Sequence, residues 1–137
     1  LVFPEGVKGI SKTFDRRYQL QRFGTGFMRL ALETHTPIVP VGVVGAEEQA
    51  PALYNLDRLA RVLSLPALPI TPTFPALGPL GLLPLPTRYR IHFGTPLRFD
   101  GDGDEEEAVV RGHVEQVKWS IERLLSEGLA AREGVFR

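Results

Sequence analysis

The chain has 137 residues, 43% apolar and 23% charged, which suits one globular domain with a buried core. Sixteen basic residues balance sixteen acidic ones, which argues against a protein whose main work is binding nucleic acid. The absence of cysteine excludes disulfides, thiolate metal sites and a cysteine nucleophile.

Leu1-Val2-Phe3 reads as the end of a buried strand, stopped by Pro4 and Gly6. With no signal-peptide pattern before it, the chain is expected to be a fragment or a processed product. Residues 7–23 are polar and basic without a sustained period, a loop with at most one helical turn. Gly24-Thr25-Gly26 opens a helix to about His35, with Phe27, Leu30, Ala31 and Thr34 on its apolar face. Residues 37–44 (PIVPVGVV) form a continuous β-branched run, the pattern of a strand buried on both faces. Strand, helix and strand in this order predict a βαβ unit. Pro40 lacks a ladder donor and predicts a bulge or an edge.

Residues 47–65 carry a second helical pattern in Leu53, Leu56, Leu59, Ala60 and Leu63. Residues 66–86 hold no charge and are rich in Pro, Gly and Leu, too broken to be a membrane-spanning helix. Residues 88–94 alternate, with Tyr89, Ile91 and Phe93 on one face of a strand. An acidic turn at residues 100–104 leads into the clearest helix. Val110, Val114, Val117, Ile121, Leu124 and Leu125 make its stripe, and Gly128 is its expected C-cap. The fold class expected is α/β, three-layer-like with a mostly parallel sheet. One domain spans residues 1–128, with a tail at 129–137.

Positive charge is concentrated locally in Lys8, Lys12, Arg16, Arg17 and Arg22, against the single acid Asp15. This stretch ends at Gly24-Thr25-Gly26, where the free N–H groups of a helix start favour an anion. Arg offers a fork to phosphate and Lys a point charge. A solvated basic loop and a simple glycine turn are the alternatives. Glu5 sits at a strand end just before this loop, where open α/β sheets bind ligands. It either contacts a substrate hydroxyl or clamps the loop.

Phe3-Pro4-Glu5-Gly6 resembles the FPEG block of the phospholipid/glycerol acyltransferase family, which includes the 1-acylglycerol-3-phosphate acyltransferases. There the block continues Thr-Arg-Ser/Thr; here it continues Val7-Lys8-Gly9, which keeps the charge and loses two hydroxyls. Residues 23–40 (FGTGFMRLALETHTPIVP) resemble the family's next helix and proline-containing strand. Many members carry Lys where Gly24 stands, a charge that Arg22 would supply. Residues 70–86 followed by Gly94-Thr95-Pro96-Leu97 resemble a branch that includes diacylglycerol-acyltransferase-like members. The likeness covers roughly residues 1–99 and implies that the chain is the C-terminal portion of such a domain, expected to be incomplete at its N-terminus.

The resemblance implies transfer of a fatty acyl group from acyl-CoA or acyl-carrier protein to a glycerolipid hydroxyl, with no cofactor and no metal. The implied substrate-binding residues are Glu5, Gly6, Lys8, Arg22, Gly24, Thr25 and Gly26, with Phe3, Pro4 and Pro40 structural at the acceptor site. A lysophosphatidic acid-like acceptor is favoured; a neutral mono- or diacylglycerol would account for the lost hydroxyls. The implied partners are the acceptor, the acyl donor and a membrane surface, with peripheral attachment on the cytoplasmic side and no nucleic acid. In the family a His-x4-Asp pair upstream of FPEG is the general base and its orienting group. None of His35, His92 or His113 has Asp five residues on, so no catalytic residue is expected in this chain, which alone should be inactive. The histidines read as structural.

Two rival readings are a non-catalytic phosphate- or lipid-binding module and an ester hydrolase using Ser11 or Ser64. No G-x-S-x-G elbow supports the hydrolase. Residues 66–86 either cover the sheet or dip Leu80, Leu82, Leu83 and Leu85 into a bilayer interface. The acids at 100–107 lack calcium-loop spacing.

Overall fold

A computed structural model describes residues 1–6, 14–49, 54–55, 69–70, 76–83 and 85–134. The order is a 3-10 turn at Phe14–Arg16, helix α1 (Gly26–Glu33), strand β1 (Val41–Val44), the single turn α2 (Ala46–Gln49), strands β2 (Tyr54–Asn55) and β3 (Pro69–Ile70), a 3-10 segment at Gly78–Leu82, strand β4 (Arg90–Phe93) and the long helix α3 (Glu107–Ala130). The α/β class is as expected from the sequence.

Helix α3 organises the core because its stripe recurs at helical spacing and meets two different partners along its length. Val110, Val114 and Val117 form one buried cluster with Phe23 and with Met28 and Leu32 of α1, and Ile121 packs against its edge. Further along, Leu124 lies under Gly42 and Gly94 of the sheet. Gly128 does not cap α3, which continues to Ala130. A Cβ at Gly128 would stand 2.6 Å from His92 Nε2 and 2.9 Å from Val44 Cγ2, so this glycine sets the close approach of helix and sheet.

The face of α1 differs in part from expectation: Phe27 packs against the core as expected, but the centre of the face has shifted. Met28 and Leu32 are its fully buried residues, whereas Leu30 is 57% exposed and Thr34 is exposed. Both patterns fit 3/4 spacing; the position of α3 selects the Met28/Leu32 face. The helix ends in a Schellman arrangement, Thr36 N–H to Ala31 O at 3.0 Å and His35 N–H to Leu32 O at 3.1 Å. His35 takes the left-handed position, φ 49°, where glycine is usual. Replacing Leu32 with Ala, a full deletion beneath α3, is expected to cost about 3 kcal/mol by denaturant melts.

The strand at residues 41–44 pairs antiparallel with β4, Val41 opposite Phe93 and Val44 opposite Arg90, so no parallel sheet is present among the described residues. Leu1, Val2 and Phe3 are exposed and form no strand, and among the described residues no strand lies beside them to take their backbone bonds. The ladder is irregular beside Pro40, but the extra residue is on the partner side. Two residues separate Ile38 from Val41 and three separate their partners Leu97 and Phe93, so one residue bulges at Gly94-Thr95-Pro96. Gly94 N–H still reaches Pro40 O at 2.8 Å.

Burial in β1 alternates rather than covering both faces. Gly42 and Val44 face α3, while on the other side Ile91 and Phe93 of β4 are 55% and 71% exposed. Tyr89, Ile91 and Phe93 share one face, as their alternation predicts, and that face is exposed. Of the helix expected over 47–65, the described residues show only the turn Ala46–Gln49, and Tyr54–Asn55 pair antiparallel with Pro69–Ile70. Leu53, Leu56, Leu59, Ala60 and Leu63 lie outside the described residues. Arg29 secures the acidic turn, donating to Gly103 O at 2.7 Å, to Glu105 O at 3.1 Å and to Glu107 Oε2 at 2.9 Å. The Arg29 guanidinium, helped by Arg111, holds the Glu107 carboxyl below its ordinary value.

Candidate functional site: a tethered basic loop

Residues 3–6 form a tight turn closed by Gly6 N–H on Phe3 O at 3.1 Å, with Gly6 at φ 59°, a conformation that favours glycine. This turn is bolted to the far end of the basic loop. Glu5 Oε1 accepts the Gln21 N–H at 2.6 Å, and Pro4 O accepts the Gly24 N–H at 3.1 Å. A carboxylate taking a backbone N–H is a strong, directional bond. Glu5 thus ties the turn to the loop at Gln21.

Arg22 stands between these two anchored residues and is exposed. Among the described residues Arg16 and Arg22 have no ion-pair partner, whereas Arg17 stacks 4.3 Å over Phe14 and donates to Phe14 O at 3.2 Å. Phe23, next to Arg22, is 4% exposed and roots the segment in the core. The loop thus leaves α1 with its backbone fixed and a guanidinium turned to solvent.

Thr25 occupies the N-cap of α1 without a side-chain capping bond, and the first turn of α1 carries no acid. Gly24 and Gly26 have ordinary φ values, and a Cβ at either would meet nothing within 4 Å. Neither backbone torsion nor internal crowding requires glycine there, so the glycines leave a clear approach to the helix start. Lys8 and Lys12 lie outside the described residues. Pro40 serves the sheet through its carbonyl bond to Gly94 rather than the turn.

Sequence reading missed a second set of groups on this loop. Tyr18, at φ 61°, accepts the Gly45 N–H at its hydroxyl (2.8 Å), and its own N–H goes to the Glu47 carboxylate. Next to it Glu48, 4% exposed, is gripped by Arg132 through bonds of 2.6 and 2.7 Å. The Arg132 fork holds the Glu48 carboxyl below its ordinary value against the opposing effect of burial, and burial pushes the Tyr18 phenol up. The only sequence signal was the acidic pair Glu47-Glu48 directly after a strand.

The histidines sit where structural roles were expected: His92 in β4, His113 on α3 stacked 4.8 Å from Phe99, and His35 at a helix end. Among the described residues no cluster of His, Asp and Glu could hold a metal, and no helix is long and apolar enough to cross a membrane.

An acyltransferase family model matches residues 1–44, the stretch holding the turn, the loop, α1 and β1. Uncharacterized proteins of Mycobacterium tuberculosis and Mycobacterium bovis are each 45% identical over 98% of this chain and 39% of their own length. One of Mycobacterium leprae is 43% identical over 98% of the chain and 38% of its length. The chain spans about two fifths of the length of these curated relatives. No solved structure matches it.

Proposed function

We propose, on the premise that residues 1–44 relate this chain to the acyltransferase family, that it belongs to an enzyme acylating a phosphate-bearing glycerolipid and that its tethered loop holds the acceptor phosphate. The observation that carries this reading is Arg22, exposed between Gln21 and Gly24, whose N–H groups are both fastened to the Pro4-Glu5 turn. A cation on a preorganised backbone loses little entropy when it takes an anion. The open start of α1 beside it adds N–H donors and the positive end of the helix dipole.

In the transfer, the acceptor hydroxyl oxygen attacks the carbonyl of an acyl thioester. The new ester bond forms, the carbon–sulfur bond breaks, and the thiol leaves with the proton taken from the hydroxyl. A general base is required. Buried ring nitrogens of His92 and His113 find no partner among the described residues, and His35 closes a helix, so none is set for that step. Our reading places the base in the part of the relatives' length that lies beyond the match, together with the acyl-CoA or acyl-carrier-protein site. The same part would add parallel strands at the edge of β1 that no described strand pairs with.

Peripheral attachment to a membrane is part of the proposal, since a lysolipid acceptor resides there. Leu77, Leu80 and Leu83 are 59%, 69% and 64% exposed on the uncharged segment, a surface suited to the interfacial region.

Arg22→Ala should weaken lysophosphatidic acid binding about tenfold, equivalent to about 1.4 kcal/mol and at the low end for a charge-assisted bond, while monoacylglycerol binding stays the same. Calorimetric titration of the chain with both lipids in mixed micelles reads this directly. Equal losses for both lipids would favour a neutral acceptor and defeat the phosphate assignment.

A further inference from the structure

Segments far apart in sequence converge on Glu48. Arg132 follows the end of α3, and the backbone just before it is secured by Arg90, which donates to Ala131 O at 3.1 Å. Its guanidinium spans both oxygens of Glu48 and lies 6.0 Å over the Tyr18 ring. Tyr18 in turn holds the end of β1 through Gly45 and takes support from Glu47.

The geometry requires an outside support. A tyrosine at φ 61° is in a conformation that non-glycine residues avoid, and it persists only where its surroundings hold it. Residues 17–24 contain no helix or strand to do so. The Glu5 clamp fixes Gln21 but leaves Tyr18, three residues earlier, to be fixed by something else. That something is the Glu47, Glu48 and Arg132 group.

We propose that Arg132, Glu48 and Tyr18 form a latch by which the end of α3 positions the basic loop for its anionic headgroup. The inference rests on the acceptor-site reading above and adds positioning residues to it, since none of the three is placed on the ligand. Loosening the latch reduces the fraction of molecules whose loop is in the binding arrangement, and the apparent affinity falls by that fraction. Arg132→Lys is the informative variant: it keeps a cation facing Glu48, so the carboxylate is not orphaned, but it loses the two-pronged fork.

Two measurements on the whole chain test this. Amide hydrogen exchange reads the latch without lipid. Exchange at Tyr18 and Gln19 should quicken about tenfold in Arg132→Lys, while Val114 and Val117 in the core of α3 stay as in the parent. Unchanged exchange at Tyr18 overturns the latch. Calorimetry then reads its role: lysophosphatidic acid affinity should drop about three- to tenfold with monoacylglycerol affinity unaltered. A faster-exchanging loop with unaltered lysophosphatidic acid affinity overturns the positioning role alone. A parent chain that binds no lysophosphatidic acid overturns the acceptor-site reading and the positioning role with it, whatever exchange shows for the latch.

Discussion

Gly45→Ala is expected to be the most damaging single-methyl change in the described structure. Gly45 sits at φ 103°, where a side chain is strained, and a Cβ there would lie 2.2 Å from the Arg88 carbonyl oxygen. That neighbour is backbone and cannot rotate aside. The residue is also a knot: its N–H goes to the Tyr18 hydroxyl and its carbonyl accepts from Thr87 Oγ1 at 3.0 Å. Strain of roughly 1–3 kcal/mol from the backbone alone, with the overlap added, predicts a loss of about 3–4 kcal/mol. In a domain of this size that lowers Tm by about 10 °C or more, measured by circular dichroism melts. Gly24→Ala, with open space and ordinary φ, should by contrast melt within about 2 °C of the parent and serves as the control.

Arg132→Ala should destabilise the chain by about 3 kcal/mol at neutral pH, since it leaves a buried carboxylate without its partner. Arg132 retains 19% side-chain exposure, which places the value at the lower end for a buried pair. The pH dependence has a definite sign. In the parent, Glu48 has a carboxyl pKa depressed below the ordinary 4.5, so the pair's contribution is fully present above that value and is lost as pH falls through the folded pKa. In the variant the largest lowering influence is gone while burial still disfavours the charge. The gap between parent and variant should therefore narrow as pH falls through the variant's Glu48 pKa toward the parent's lower one, as protonation removes the orphaned charge. Urea melts at pH 7 and pH 3.5 check this; a constant gap across that range would show that the Glu48 charge is not its source.

Helix α3 was legible in the sequence because its stripe obeys a single period, and every residue of that stripe is buried or packed against the core. An irregularity in the ladder near Pro40 was legible because proline has no N–H to give it; that the extra residue lies on the opposite side, at Gly94-Thr95-Pro96, was not. Periodicity gives the possible faces of α1, but the neighbour decides which is most deeply buried, and that neighbour lies about 80 residues away in α3. The role of Gly128 escaped because the residues it admits, Val44 and His92, belong to the sheet and are distant in sequence. The antiparallel pairing escaped for a similar reason, since a β-branched run reads alike in either kind of sheet. At the candidate site the charge and the glycines were visible at once. The latch was not, because Tyr18, Glu48 and Arg132 share no motif and meet only when the chain is folded.

If the acceptor phosphate lies against the loop between the Pro4-Glu5 turn and α1, a photoreactive lysophosphatidic acid with its label on the glycerol should crosslink there. Peptide mass spectrometry should map the label within residues 1–29, diminished by Arg22→Ala and by competing lysophosphatidic acid. Labelling confined to residues 76–93, insensitive to Arg22, would instead leave the chain a lipid-surface module without an acceptor site on this loop.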